Sequence, residues 1–172
     1  RVAAYGRRPR AVLNMPFSEE IPTLTPVGIT RWKGEEWITQ RALDTANFTV
    51  EKDALTLCGN GLDLCDRKMQ GLLLVRQQER AFTAETALEI PAAGTAGLTC
   101  YYDEHSYLKF GIGPEGLLLE EYAGYEVVSR QTAPLPASTS HVRLRVTAAD
   151  GQRHFAIQDR TDWHTLWSIP EP

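Results

Sequence analysis

The chain lacks most of the features that announce a chemistry. No stretch approaches the ~18 consecutive apolar residues of a membrane-spanning helix, and no apolar leader segment stands near the start. The sequence therefore reads as soluble. Cysteine is scarce: Cys58, Cys65 and Cys100 are three, so at least one thiol stays unpaired unless another chain supplies a partner. A Cys58–Cys65 bridge would close the loop between them. Free thiols in a reducing, cytoplasmic compartment suit three cysteines without a leader better. Cys100, inside an apolar stretch, reads as a small buried hydrophobe. His105, His141, His154 and His164 lie far apart and no Cys-x-x-Cys occurs, which excludes the usual zinc spacings. A Gly-x-Ser-x-Gly elbow and a phosphate-binding glycine loop are absent too.

Positive charge is in deficit, with 18 Lys and Arg against 22 Asp and Glu and a net charge of -4. That balance opposes a nucleic-acid partner, whose phosphates demand a basic face. The local exception, Arg1, Arg7, Arg8 and Arg10, reads as a solvated arm. Long helical periodicity is missing as well: the best helical candidate, Glu35 to Ala46, is short and carries Thr39 and Thr45. There is no internal repeat.

What the chain has is alternation. Phe82, Ala84 and Leu88 fall on one side of an extended strand while Thr83 and Glu85 fall on the other. Val142, Leu144 and Val146 alternate with Arg143, Arg145 and Thr147 before Asp150-Gly151, a pair suited to a two-residue hairpin turn, and His154 to Gln158 forms the return strand. Upstream, Phe48 and Val50, then Leu55 and Leu57, predict another hairpin. Turn signals at Pro91, Gly94, Gly113-Pro114, Gly124 and residues 134–140 give the spacing of an all-β sandwich. At 172 residues and 42% hydrophobic content the chain can bury one sizeable core. We expect a domain over residues 31–172, opened by Trp32 and Trp37. Residues 1–30 read as an extended arm or linker, because Pro9, Pro16, Pro22 and Pro26 interrupt any ladder. The start at arginine suggests a segment of something longer or a processed product.

Two chemistries merit weighing. Glycoside hydrolysis runs on two carboxylates flanking the scissile bond. Glu35-Glu36, Asp103-Glu104 and Glu120-Glu121 are adjacent pairs, which point to opposite faces of a strand and read as surface charge. No strand carries acids at alternating positions. Saccharide binding would instead use aromatic rings beside polar groups, so Tyr101, Tyr102, Tyr107, Trp163 and Trp167 with Arg76, Gln77 and Gln78 are the candidates. Strand aromatics more often pack, and Tyr101 and Tyr102 must face opposite sides. Trp163 reads as a cap on the core after the last hairpin.

The ordered strands carry a resemblance. Leu72-Leu73-Leu74-Val75-Arg76-Gln77, then Phe82-Thr83-Ala84-Glu85-Thr86, then Ala96-Gly97-Leu98 with Tyr101-Tyr102-Asp103 and Tyr107, are similar to the C-terminal concanavalin-A-like sandwich of glycoside hydrolase family 43 β-xylosidases. Glu36-Trp37 with Arg41, Leu55 and Leu57 before Gly59, and Val142-Arg143-Leu144 through Phe155 and Trp163 extend it from about Trp32 to Trp167.

The resemblance implies an antiparallel β-sandwich of jelly-roll type with no catalytic residue of its own. An upstream five-bladed β-propeller would carry the acids that hydrolyse xylosides or arabinosides with inversion, and residues 1–26 would be the connection from it. The sandwich would serve stability, pocket shaping and homo-oligomer contacts. Arg76, Gln77, Tyr101, Tyr102, Tyr107 and Trp163 would then face either a xylo- or arabino-oligosaccharide or the propeller. Two departures stand out. Gln158 to Asp162 replaces the family's Asp-Gly turn, and the chain ends at Pro172, where relatives continue into a further aromatic- and glycine-rich strand. On this reading the sandwich lacks its last strand. No cofactor is expected; a structural Ca²⁺, which such sandwiches sometimes hold, would draw on Asp63, Asp66 or Asp103. The alternatives are a free-standing lectin-like module and a catalytic jelly-roll glycosidase.

Overall fold

The computed structural model describes residues 2–6, 11–14, 23–24, 29–32, 35–39, 48–50, 55–135 and 139–171. These residues form strands and turns only. In chain order the strands are β1 (Val2–Gly6), β2 (Ala11–Asn14), β3 (Thr23–Leu24), β4 (Ile29–Trp32), β5 (Glu35–Ile38), β6 (Phe48–Val50), β7 (Leu55–Leu57) and β8 (Leu72–Val75). They continue as β9 (Phe82–Glu89), β10 (Ala96–Asp103), β11 (Ser106–Gly113), β12 (Gly116–Ala123), β13 (Glu126–Ala133), β14 (His141–Ala149), β15 (Gln152–Asp159) and β16 (Asp162–Pro170).

Two antiparallel sheets result. The first has nine strands in the order β13-β12-β11-β10-β1-β8-β5-β4-β3, and the second has seven in the order β16-β15-β14-β9-β2-β7-β6. Alternation decides what lies between them. Leu73, Leu98, Phe110, Ile112, Leu117 and Leu119 of the first sheet meet Leu88, Val142, Leu144, Val146, Phe155 and Ile157 of the second in one buried cluster. Phe110 sets its ring edge against Phe155 at 5.4 Å and lies at 6.0 Å from Trp167. Such aromatic contacts contribute about 0.5–1.5 kcal/mol beyond the area they bury. Cys100 belongs to this cluster, and all three cysteines are free thiols. Burial raises the Cys100 thiol above its ordinary value of 9.0, the Arg153 guanidinium offsetting part of that rise.

Turn chemistry sets the hairpins. Asp150 and Gly151 both adopt positive φ, 52° and 72°, as the expected two-residue turn requires. β6 and β7 pair antiparallel as the anticipated upstream hairpin. The atypical turn after Gln158 is also a two-residue one. Asp159 pairs with Asp162, and Arg160 supplies the positive φ of 53° that glycine would otherwise provide.

Three expectations need correction. Two described pieces of the expected arm are strands of the sandwich: β1 sits between β8 and β10, and β2 between β7 and β9. The physical reason is placement of proline. None of Pro9, Pro16, Pro22 and Pro26 falls within a described strand, so none removes a donor from a described ladder. The helical candidate begins as a strand, β5, which pairs with β4 and β8; residues 40–47 lie outside the described residues. Trp163 does not cap the core. It lies on the outer face of the seven-stranded sheet, and Leu166, Trp167 and Ile169 pack against the core instead.

Candidate functional site

The outer face of the nine-stranded sheet gathers the most unusual side chains. Hairpin arithmetic places them. The two-residue turn Pro114-Glu115 sets Gly113 opposite Gly116, which puts Lys109 opposite Glu120 and Tyr107 opposite Tyr122. Register with the flanking strands adds Thr99 and Arg130 to the Lys109 row, and Tyr101 to the Tyr107 row. The tyrosine rings stack in sequence, Tyr101 to Tyr107 at 5.9 Å and Tyr107 to Tyr122 at 4.8 Å.

Residues 58–71 fold over this face. The loop staples itself: the Asn60 side chain donates to the Lys68 carbonyl at 2.6 Å and accepts from Leu62 and Gln70. The Asp66 carboxylate receives the Asp63 amide, and the Asp66 amide returns to the Asp63 carbonyl. Leu64, Cys65 and Met69 then pack with Leu72, Leu74, Tyr101 and Tyr107 into a second apolar cluster.

Beneath the loop lies an ion network. Lys109 and Glu120 are only 3% and 2% exposed. The Lys109 ammonium donates to both Asp63 oxygens, at 3.1 and 2.9 Å, and stands 2.8 Å from Glu120 Oε1. Arg130 donates from Nε, at 2.9 Å, and from Nη2 to Glu120 Oε2. Two cations and two carboxylates cancel. Burying an unpaired ion would cost several kcal/mol, so the pairing is what makes the burial of Lys109 and Glu120 tolerable. Burial, with the nearby Asp63 carboxylate, raises the Tyr107 phenol above its ordinary value of 10.0.

This network corrects the surface-charge reading of Glu120-Glu121: Glu120 is buried and paired, while Glu121 is exposed. Lys109, Asp63, Glu120 and Arg130 were not singled out from the sequence as a group. The signal was present in the Gly113–Gly116 turn, since counting outward from it pairs Lys109 with Glu120. Arg130 was harder to find, because a bulge shifts the register between Glu121 and Tyr122.

The sequence-derived candidates do not form one platform. Tyr101 and Tyr107 are buried within the covered cluster, so their rings meet protein. Tyr102 is exposed at the end of β10. Arg76 and Gln77 lie at the start of the 76–81 link, in a shallow depression lined with Gln78, Glu79 and Arg80, where Gln77 donates to the Glu79 carbonyl at 2.8 Å. Trp163 stands on the other sheet with Arg145 3.8 Å and Arg143 5.6 Å from its ring centre. Both arginines bond to Glu85, and Arg143 also donates to Gln158 at 2.9 Å. Trp167 faces inward.

Of the carboxylates weighed for calcium, Asp63 holds Lys109, Asp66 closes the loop and Asp103 accepts the His105 amide at 2.8 Å. Among the described residues no three His, Cys, Asp or Glu side chains converge as a metal-ligand group. Buried Glu120 and the partly exposed Asp63 of the loop share one lysine. That arrangement can lock a loop to a sheet; it does not present an acid and a base to opposite sides of a bond.

Comparison with known proteins agrees with this architecture. The chain is similar in structure to the xyloglucan-locus GH43B of Bacteroides ovatus, with a TM-score of 0.70 and 19% identity over 92% of this chain and 31% of that one. A variant of the GH43 protein BlXynB from Bacillus licheniformis gives 0.66 at 17% identity, over 92% and 30% respectively. The chain thus spans about a third of the length of these relatives. No curated protein matches it. Residues 33–171 match the β-xylosidase C-terminal concanavalin A-like domain, which covers most of the sequence. The chain belongs to that family of accessory sandwiches of GH43 proteins.

Proposed function

We propose that the chain is a non-catalytic module serving a xyloside- or arabinoside-hydrolysing enzyme whose catalytic propeller lies elsewhere in the polypeptide. Its work is to stabilise that enzyme, shape the rim of its pocket and contribute to assembly. One observation carries the reading. Glu120, the buried carboxylate of the outer face, is held by Lys109 and Arg130, and the partly exposed Asp63 of the covering loop is held by Lys109. Carboxylates neutralised in this way by lysine and arginine are poorly placed to serve as the acid and base of a glycosidic cleavage.

The isolated chain, mixed with p-nitrophenyl β-xyloside and p-nitrophenyl α-arabinofuranoside, is expected to give no turnover above background. Sustained hydrolysis of either would overturn the reading. Calorimetry with millimolar xylo-oligosaccharides separates the lectin-like alternative, since an accessory role in stability requires no heat of binding.

A further inference from the structure

Residues 58–71 contain the chain's one Asn-Gly dipeptide, Asn60-Gly61. Asparagine is chemically labile, and most so before glycine, where no side chain shields the following backbone nitrogen. The other two asparagines precede Met15 and Phe48. Gly61 is exposed at φ 85°, and a Cβ placed there would meet nothing within 4 Å. The Asn60 side chain also holds the segment together. Its Nδ2 donates to the Lys68 carbonyl at 2.6 Å, and its Oδ1 accepts the Leu62 and Gln70 amides at 3.4 and 3.3 Å. Two of these bonds reach across 8 and 10 residues and close the segment on itself. Asp63, which anchors to Lys109, and Cys65, which packs against the tyrosine cluster, both lie inside the closed part.

We propose that Asn60 is a site of spontaneous deamidation, and that the reaction loosens residues 58–71 from the nine-stranded sheet irreversibly. The Gly61 nitrogen attacks Asn60 Cγ. A C–N bond forms, the Cγ–Nδ2 bond breaks, and Nδ2 leaves as ammonia with the proton that Gly61 gives up. Water then opens the cyclic imide at either carbonyl, leaving Asp or isoaspartate, with no oxidant or reductant involved. Either product loses the Nδ2 donor and sets a carboxylate towards the Lys68 carbonyl, two acceptors with no proton between them. Isoaspartate also lengthens the backbone by a methylene, which shifts the acid relative to the Leu62 and Gln70 amides. The segment is then held only by Asp63 and by the packing of Leu64, Cys65 and Met69. In the intact fold the three hydrogen bonds restrain the carboxamide, so the rate of the first step follows local opening of the segment.

Peptide mapping by mass spectrometry tests this on protein aged in mildly alkaline buffer beside a synthetic peptide of residues 57–64. Asn60 is expected to convert about tenfold more slowly than in the peptide, and ahead of Asn14 and Asn47. Asp63→Asn should hasten the conversion about threefold, because the loosened segment opens more often. The deamidated fraction, separated by ion exchange, and the Asn60→Asp variant should each label at Cys65 about fivefold faster than fresh protein. Asn60 still intact after about twenty half-lives of the peptide overturns the site. Equal rates in protein and peptide overturn the restraint by the hydrogen bonds, and conversion that leaves Cys65 labelling unchanged overturns the release.

Discussion

The two outer faces of the sandwich carry similar residues and put them to different uses. On the seven-stranded sheet Arg143, Arg145 and Glu85 pair across strands beside Trp163 and remain partly exposed. On the nine-stranded sheet Lys109, Glu120 and Arg130 pair across strands beside Tyr107 and Tyr122, but Lys109 and Glu120 are buried. The difference is the covering loop 58–71, anchored through Asp63. The open face keeps water as an alternative partner for each charge, so an ion pair there contributes about 0–1 kcal/mol. On the covered face Lys109 and Glu120 have surrendered that alternative and depend on their neighbours, while Asp63 stays partly and Arg130 largely exposed.

The largest effect that would break this contrast is removal of the central cation. Lys109→Ala leaves Asp63 without its cation and buried Glu120 with Arg130 alone, and should cost about 3–5 kcal/mol in chemical denaturation. Asp63→Asn should cost less, about 1.5–3 kcal/mol, because Lys109 keeps Glu120. Its more telling readout is local: Cys65 should react faster with a thiol reagent as residues 58–71 lift. If Cys65 labels at the same rate in both proteins, Asp63 does not hold the loop down.

Alkali should reach the covered face and the core together. The folded-state values of Tyr107 and Cys100 are raised, so the folded protein keeps protons that the unfolded chain releases as pH climbs past about 9 and 10. The stabilisation is full below those values and declines above them. Melting temperature should therefore fall between about pH 9 and 11, and Tyr107→Phe should lessen the fall.

Between the faces, Thr86 is fully buried and its hydroxyl has no hydrogen-bond partner among the described residues. Thr86→Val should stabilise by about 1 kcal/mol, read as a rise in melting temperature of a few degrees. The smallest change belongs to the open face. Glu85→Gln should alter stability by less than about 1 kcal/mol, and salt should erase most of that.

The strands were legible because period-2 patterning is a property of each segment alone. Phe82 with Leu88, and Val142 with Leu144 and Val146, face inward as their alternation predicts. The Asp150-Gly151 turn was legible for the same local reason. What escaped notice depends on partners distant in sequence. Lys109 and Glu120 look like ordinary surface charge until the hairpin register sets them opposite each other and Asp63 arrives from a loop 46 residues away. Val2–Gly6 and Ala11–Asn14 carry no apolar–polar alternation to announce them as strands, and only the slots beside β8 and β10, and beside β7 and β9, give them a role. Trp163 follows from the same limit: its stacking partner Arg145 comes from β14, whereas the sequence shows only an aromatic after a turn.

Paired double-mutant cycles test the contrast most directly, one on Lys109 with Glu120 and one on Arg145 with Glu85, measured by denaturant unfolding under one buffer. The buried pair should couple by well over 1 kcal/mol, about 2–3, while the open pair stays below about 1. Equal couplings on the two faces would contradict the account, because the loop over the nine-stranded sheet would then make no energetic difference to the charges beneath it.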